Sequence, residues 1–160
     1  MDAMSPVTTA SSTAVKPQGC TYLKLRQLVR VVGAVYDTEL AKAGLKTTQY
    51  SLLSAIVRLG PLRAVELAHT MHMSTSTLSR NLRPLIDAGW VEQASGPDAR
   101  SWFIQATAAG QLKRAEAQKR WRVAQESLNQ TLGVAQVVAL HALLDASLVA
   151  LDTGESHVDI

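Results

Sequence analysis

The sequence predicts a mainly α-helical chain with one small β-hairpin, and three observations lead there. The first is periodicity. Leu67, Ala68 and Met71 fit one helix, Leu78, Leu82, Leu85 and Ile86 fit a second, and the pattern breaks between them at His72 and Met73. The second is punctuation. Ser74 stands where an N-cap is needed and Gly89 where a helix must end. Ser95-Gly96-Pro97-Asp98 then separates two short runs with β-favouring residues, Trp90 to Ala94 and Trp102 to Gln105. The third is composition: one Phe, three Trp and three Tyr leave little material for an aromatic-rich β-sandwich. Helix, turn, helix and hairpin in that order make a winged helix-turn-helix.

Taken in order, residues 1–18 are small and polar, with Pro6 and Pro17, and are expected to form a disordered arm. A helix from about Thr21 to Ala43 carries Leu25, Leu28, Val29, Val32, Val35, Tyr36 and Leu40 on a stripe wide enough for more than one partner, and Gly44 ends it. Thr47 or Thr48 is expected to cap the next helix, Gln49 to Leu59, which Gly60-Pro61 terminates. In the turn between the two following helices His72 takes a place that favours left-handed backbone, which His tolerates better than most residues. Ser74 caps a helix starting at Thr75, and Pro84 is expected to bend it without ending it, since the apolar spacing continues to Ile86. Thr107 caps a long polar helix over roughly 107–130, with Leu112, Ala115, Trp121, Ala124 and Leu128 as a sparse seam. A last helix, Val134 to Leu151, is too apolar for a monomer's edge, so a second subunit is expected to cover it. The expected division is therefore a winged helix-turn-helix lobe over 47–105, helical segments over 19–46 and 106–152 on either side of it in the chain, and a tail over 153–160.

The length, with 47% hydrophobic and 18% charged residues, suits one globular domain with a sizeable core. No apolar run is expected to reach bilayer-spanning length, and the N-terminus lacks a charged region followed by an apolar core, so a cytoplasmic location without a membrane partner is expected. Cys20 is the only cysteine, which rules out an intrachain disulfide and fits a reducing compartment. There is no Gly-rich phosphate loop, no H-E-x-x-H and no nucleophile elbow, and His69, His72, His141 and His157 are scattered over unrelated elements. No enzyme and no cofactor are expected. His69 and His72 stand i, i+3 and offer two metal ligands at most, with a third needed from Cys20, Asp or Glu across a dimer; two solvated histidines at a helix end are the simpler reading.

If Leu78, Leu82 and Leu85 face the core, then at 100° per residue Ser76, Ser79, Arg80 and Arg83 face outward, with Thr77 on the flank. With Ser74 and Thr75 they place short hydroxyls at a helix N-terminus, where backbone N–H groups favour phosphate, and two guanidinium groups one turn on, within reach of phosphate or guanine. Charge argues for restraint. Residues 61–105 hold four basic and four acidic residues, whereas 22–46 and 106–132 each hold five Lys/Arg against two Asp/Glu, and the chain carries +3 in all. Non-specific affinity should be modest and salt-dependent. A near-neutral lobe also suits a protein-interaction module with the last helix as its interface. The presence of Arg80, Arg83 and Arg100 together argues against that alternative.

Leu67-Ala68, the run Ser74 to Arg80, the run Leu85 to Val91 with Gly89, and Asp98-Ala99-Arg100 followed by Ala106-Thr107 resemble the MarR-type bacterial transcription regulators over about residues 21–151. The resemblance implies that Arg100 enters a DNA minor groove while Asp98 steadies it. It implies an isologous homodimer built from the terminal helices, matched to a palindromic operator in double-stranded DNA. It also implies a repressor released by a small aromatic acid bound between the dimer helices and the reading lobe. Tyr22 and Arg26, i, i+4 on one helix, and Tyr50 at the start of the next are the candidates for that pocket, arginine for a carboxylate and tyrosine as an apolar plate with a polar tip. A core role for Tyr50 and a dimer ion pair for Arg26 remain open. The run Thr77 to Leu85 is similar to members that control catabolism of nicotinic-type acids, which makes a hydroxynicotinate the first ligand to test. Some members sense hydroperoxides through a cysteine paired with tyrosines. Cys20 with Tyr36 is the counterpart here, at a helix start that can raise thiol reactivity, though Cys20 falls about two residues early and Tyr22 stands nearer the place of the family's cysteine.

Overall fold

The computed structural model describes residues 16–95 and 102–152. In chain order it contains α1 (Thr21–Leu40), a short 3₁₀ turn (Ala41–Ala43), α2 (Thr47–Leu59), β1 (Leu62–Arg63), α3 (Ala64–Thr70), α4 (Thr75–Asp87), β2 (Val91–Ser95), β3 (Trp102–Ala106), α5 (Ala108–Leu132) and α6 (Val134–Asp152). Gly44, at φ 70°, closes the first helical segment, and Gly89, at φ 71°, follows α4. His72 is left-handed at φ 49°, as the turn demands.

The sheet order is β1-β3-β2, antiparallel throughout, with Val91 opposite Ala106, Ser95 opposite Trp102 and Leu62 opposite Ile104. β1 went unforeseen: two residues between Pro61 and a helix are too few to show a period of two. The core lies under the sheet and between α2, α4 and α5, where Leu40, Leu52, Leu53, Ile56, Leu67, Leu78, Leu85, Val91 and Ile104 are buried. At the other end α1 packs along α5, and α6 follows α5 after Gly133, with Val137 near the turn buried.

Three expectations need correction. Lys46, not Thr47 or Thr48, is the N-cap of α2. Its N–H donates to Gln49 Oε1 at 2.8 Å, while Thr47 gives both its N–H (2.7 Å) and its hydroxyl (2.6 Å) to Asp37 at the end of α1. On α5, Leu112 points to solvent at 74% exposure and Ala115 is also exposed. Trp121 and Ala124 do face the interior as expected, and Gly110 and Ala117 join them on the packed side of the helix. A Cβ at Gly110 would lie 1.9 Å from the Trp90 carbonyl oxygen. Pro84 does sit inside α4, which continues past it to Asp87. Finally, α6 is long and apolar enough, by length and composition alone, to cross a membrane, since Gln136, His141 and Asp145 interrupt the run without lowering its average much. Of that helix only Val137 is buried in the single chain.

Candidate nucleic-acid interface

α4 is fixed from below and capped from the front. Leu78, Leu82 and Leu85 are buried, which turns Thr75, Ser76, Ser79, Arg80 and Arg83 outward and leaves Thr77 half-buried on the flank. Ser74 Oγ accepts the Thr77 N–H at 3.2 Å and lies 3.0 Å from the Thr77 hydroxyl and 3.1 Å from that of Ser76. This satisfies one of the free donors of the first turn and leaves others exposed beside a row of hydroxyls. The Ser79 hydroxyl donates back to the Thr75 carbonyl at 2.9 Å, so it meets a ligand chiefly as an acceptor. Arg83 Nε bonds both carboxylate oxygens of Asp87, at 2.9 and 3.1 Å. Both side chains are exposed, and such i, i+4 pairs contribute about 0.3–0.5 kcal/mol, so an incoming phosphate can displace Asp87 at little cost. Asp98 and Arg100 lie outside the described residues, though β2 and β3, which lead to them, are paired along their whole length.

Beside Arg80 the structure adds residues that no sequence pattern indicated. Lys46, Thr48 and Gln49 from the start of α2, with Arg80, Asn81 and Pro84 from α4, line an open cleft of about 220 Å³. The two groups are more than thirty residues apart in the chain, and only the packing of α2 on α4 brings them together.

The expected effector residues divide between two places. Tyr22 and Arg26 do meet, with Arg26 Nη1 3.4 Å from the Tyr22 hydroxyl and its guanidinium carbon 5.4 Å from the ring centroid, and both are exposed. Tyr50 is only 6% exposed and stacks on Trp121 at 6.4 Å between ring centroids; it is a core residue, which corrects its expected place in the pocket. Tyr36 also stacks on Trp121, at 6.4 Å between ring centroids, and donates to Gln125 Oε1 at 2.5 Å. Burial raises the pKa of its hydroxyl above the ordinary tyrosine value. Tyr22 stands fourteen residues before Tyr36, about 21 Å away at 1.5 Å per residue. Cys20 is exposed at the N-cap of α1, farther still from Tyr36, so the two do not pair within one chain. Among the described residues no three His, Cys, Asp or Glu side chains gather into a metal site.

A family model described as the MarR family matches residues 43–101. The chain is 25% identical over 93 residues to an uncharacterized HTH-type transcriptional regulator of Bacillus subtilis, YwoH, covering 58% of this chain and 68% of that protein. Among solved structures it is similar to the M. tuberculosis transcriptional regulator MosR in complex with DNA, at 30% identity and a TM-score of 0.66, covering 81% of this chain and 98% of that one. It also shares the fold of the transcriptional repressor CouR bound to a 23-mer DNA duplex, at 21% identity and a TM-score of 0.75, covering 81% of this chain and 92% of the other.

Proposed function

The chain belongs to the MarR family, and from that premise we propose that it is a homodimeric, sequence-specific DNA-binding repressor that a small aromatic acid releases from its operator. The observation that carries the DNA reading is α4 itself. Its buried leucines and the Ser74 cap hold Ser76, Ser79, Arg80 and Arg83 on one exposed face at the front of the lobe. Thr75 and the first-turn N–H groups suit phosphate, Arg80 and Arg83 suit guanine edges or phosphate, and Asp98 with Arg100 is assigned to the minor groove beyond the wing. The MosR structure, a DNA complex by its own description, supports the same reading.

Dimerisation rests on α6, where Val138, Leu143 and Val149 are each more than 60% exposed in one chain. An apolar face of that length needs a cover, and a two-fold copy presents two α4 helices to two half-sites about one DNA turn apart. For the effector, Tyr22 and Arg26 form the half-site that one chain offers, a guanidinium for a carboxylate beside an aromatic plate. A hydroxynicotinate is the first compound to test.

The experiment is selection of a random-sequence duplex pool by the purified protein. Enrichment of a palindrome with half-sites about 10 bp apart is the expected result. A pool that stays random through successive rounds contradicts sequence-specific reading.

A further inference from the structure

We propose that the cleft between α2 and α4, lined by Lys46, Thr48, Gln49, Arg80 and Asn81, is a clamp for a DNA backbone phosphate at the edge of the groove that α4 reads. The inference rests on the DNA reading above and adds to it a residue, Lys46, from outside the helix-turn-helix.

Two cations from separate helices face the same cleft, and the polar residues between them carry hydroxyl and amide groups that suit a phosphate oxygen. Among the described residues neither Lys46 nor Arg80 is held in an ion pair. Asp37, whose carboxyl feels the charge of Lys46, is turned to the N–H and hydroxyl of Thr47. Arg83, by contrast, is tied to Asp87. Residues 61–105 sum to zero charge, so the lobe must draw phosphate-neutralising charge from its neighbours, and Lys46 is placed to supply it. The occupant follows from shape. An enclosed pocket that buries most of its ligand would suit a small anion, but this cleft is open to solvent and shares Arg80 with the exposed face of α4. A strand of nucleic-acid backbone lying along that face would cross both.

The test uses the full chain with two probes, the duplex selected from the random pool and a random-sequence duplex of equal length, titrated over a range of salt. Lys46→Gln should weaken binding by a similar factor on both and make the slope of log K against log salt shallower by about 1.8, at 0.9 per phosphate for the two clefts of a dimer. Lys46→Arg should restore both affinity and slope. Asn81→Ala, on the opposite wall, should give a uniform loss with little change of slope, and it serves as the independent probe if Lys46→Gln proves unstable in a thermal melt. Wild-type affinity and slope for Lys46→Gln, a loss confined to the selected sequence, or a loss that Lys46→Arg does not rescue would each overturn the clamp. A wild-type protein that binds neither duplex would instead overturn the DNA reading itself.

Discussion

The hydroxyl of Thr107 donates to the carbonyl of Gly89 at 2.7 Å while accepting the N–H of Gly110 at 3.0 Å. One side chain thus joins the end of α4 to the start of α5, and Gly110 lets α5 lie against the Trp90 carbonyl. Thr107→Ala should remove a cap of about 1 kcal/mol and lower the melting temperature by about 2–4 °C for each kcal/mol lost. Gly110→Ala should cost more, since its Cβ meets backbone and not a flexible side chain. Equal melting curves for wild type and Gly110→Ala would show that the junction is looser than described.

Asp37 gives a pH signature. The hydrogen bonds from the Thr47 hydroxyl and N–H hold its carboxyl below the ordinary carboxylate range, with Lys46 adding a smaller pull. The folded state therefore binds that proton less readily than the unfolded chain. Its contribution is whole above the ordinary carboxylate pKa and is lost as pH falls through the lowered folded value. Asp37→Asn should lower stability at pH 7 and flatten the acid limb of a denaturation profile. An acid limb identical to that of wild type removes Asp37 from the α1–α2 junction's energetics.

The exposed face of α6 predicts an assembly. Truncation before Val134 removes that face, and the protein should become monomeric or aggregate and lose binding to the palindrome. Light scattering that finds a soluble dimer after truncation would place the interface on other helices.

Sensing separates two chemistries. If an acid binds at Tyr22 and Arg26, Arg26→Ala should raise the concentration needed for release of DNA, while Cys20→Ser changes little. If Cys20 is oxidised instead, Cys20→Ser should abolish release by a hydroperoxide and leave DNA binding intact, because only a thiolate enters the sulfenic-acid ladder. Unaltered release of Arg26→Ala at the same hydroxynicotinate concentration would remove the pocket assignment.

Much of how α4 is capped and turned was legible because it depends on local physics. Ser74, His72 and Gly89 mark their turns through capping and left-handed backbone, and three leucines fix which way α4 faces. Contacts between distant elements were not legible. Thr47 is a sound capping residue by type, but Asp37, ten residues earlier, claims it. Leu112 has the apolar character of a seam residue, but the close approach at Gly110 and the burial of Ala117 set the helix's rotation and leave it outside. Tyr50 reads equally as pocket or core until Trp121 stacks on it, and the pairing of Lys46 with Arg80 exists only once α2 lies on α4.

The central claim is that the outward face of α4 reads DNA, and a titration of the selected duplex with wild type, Arg80→Ala and Arg83→Ala tests it most directly. Each substitution should weaken binding, and an arginine that contacts a guanine should cost about 1–3 kcal/mol and relax preference at one base pair of each half-site. Wild-type affinity and unchanged base preference in both variants would contradict it.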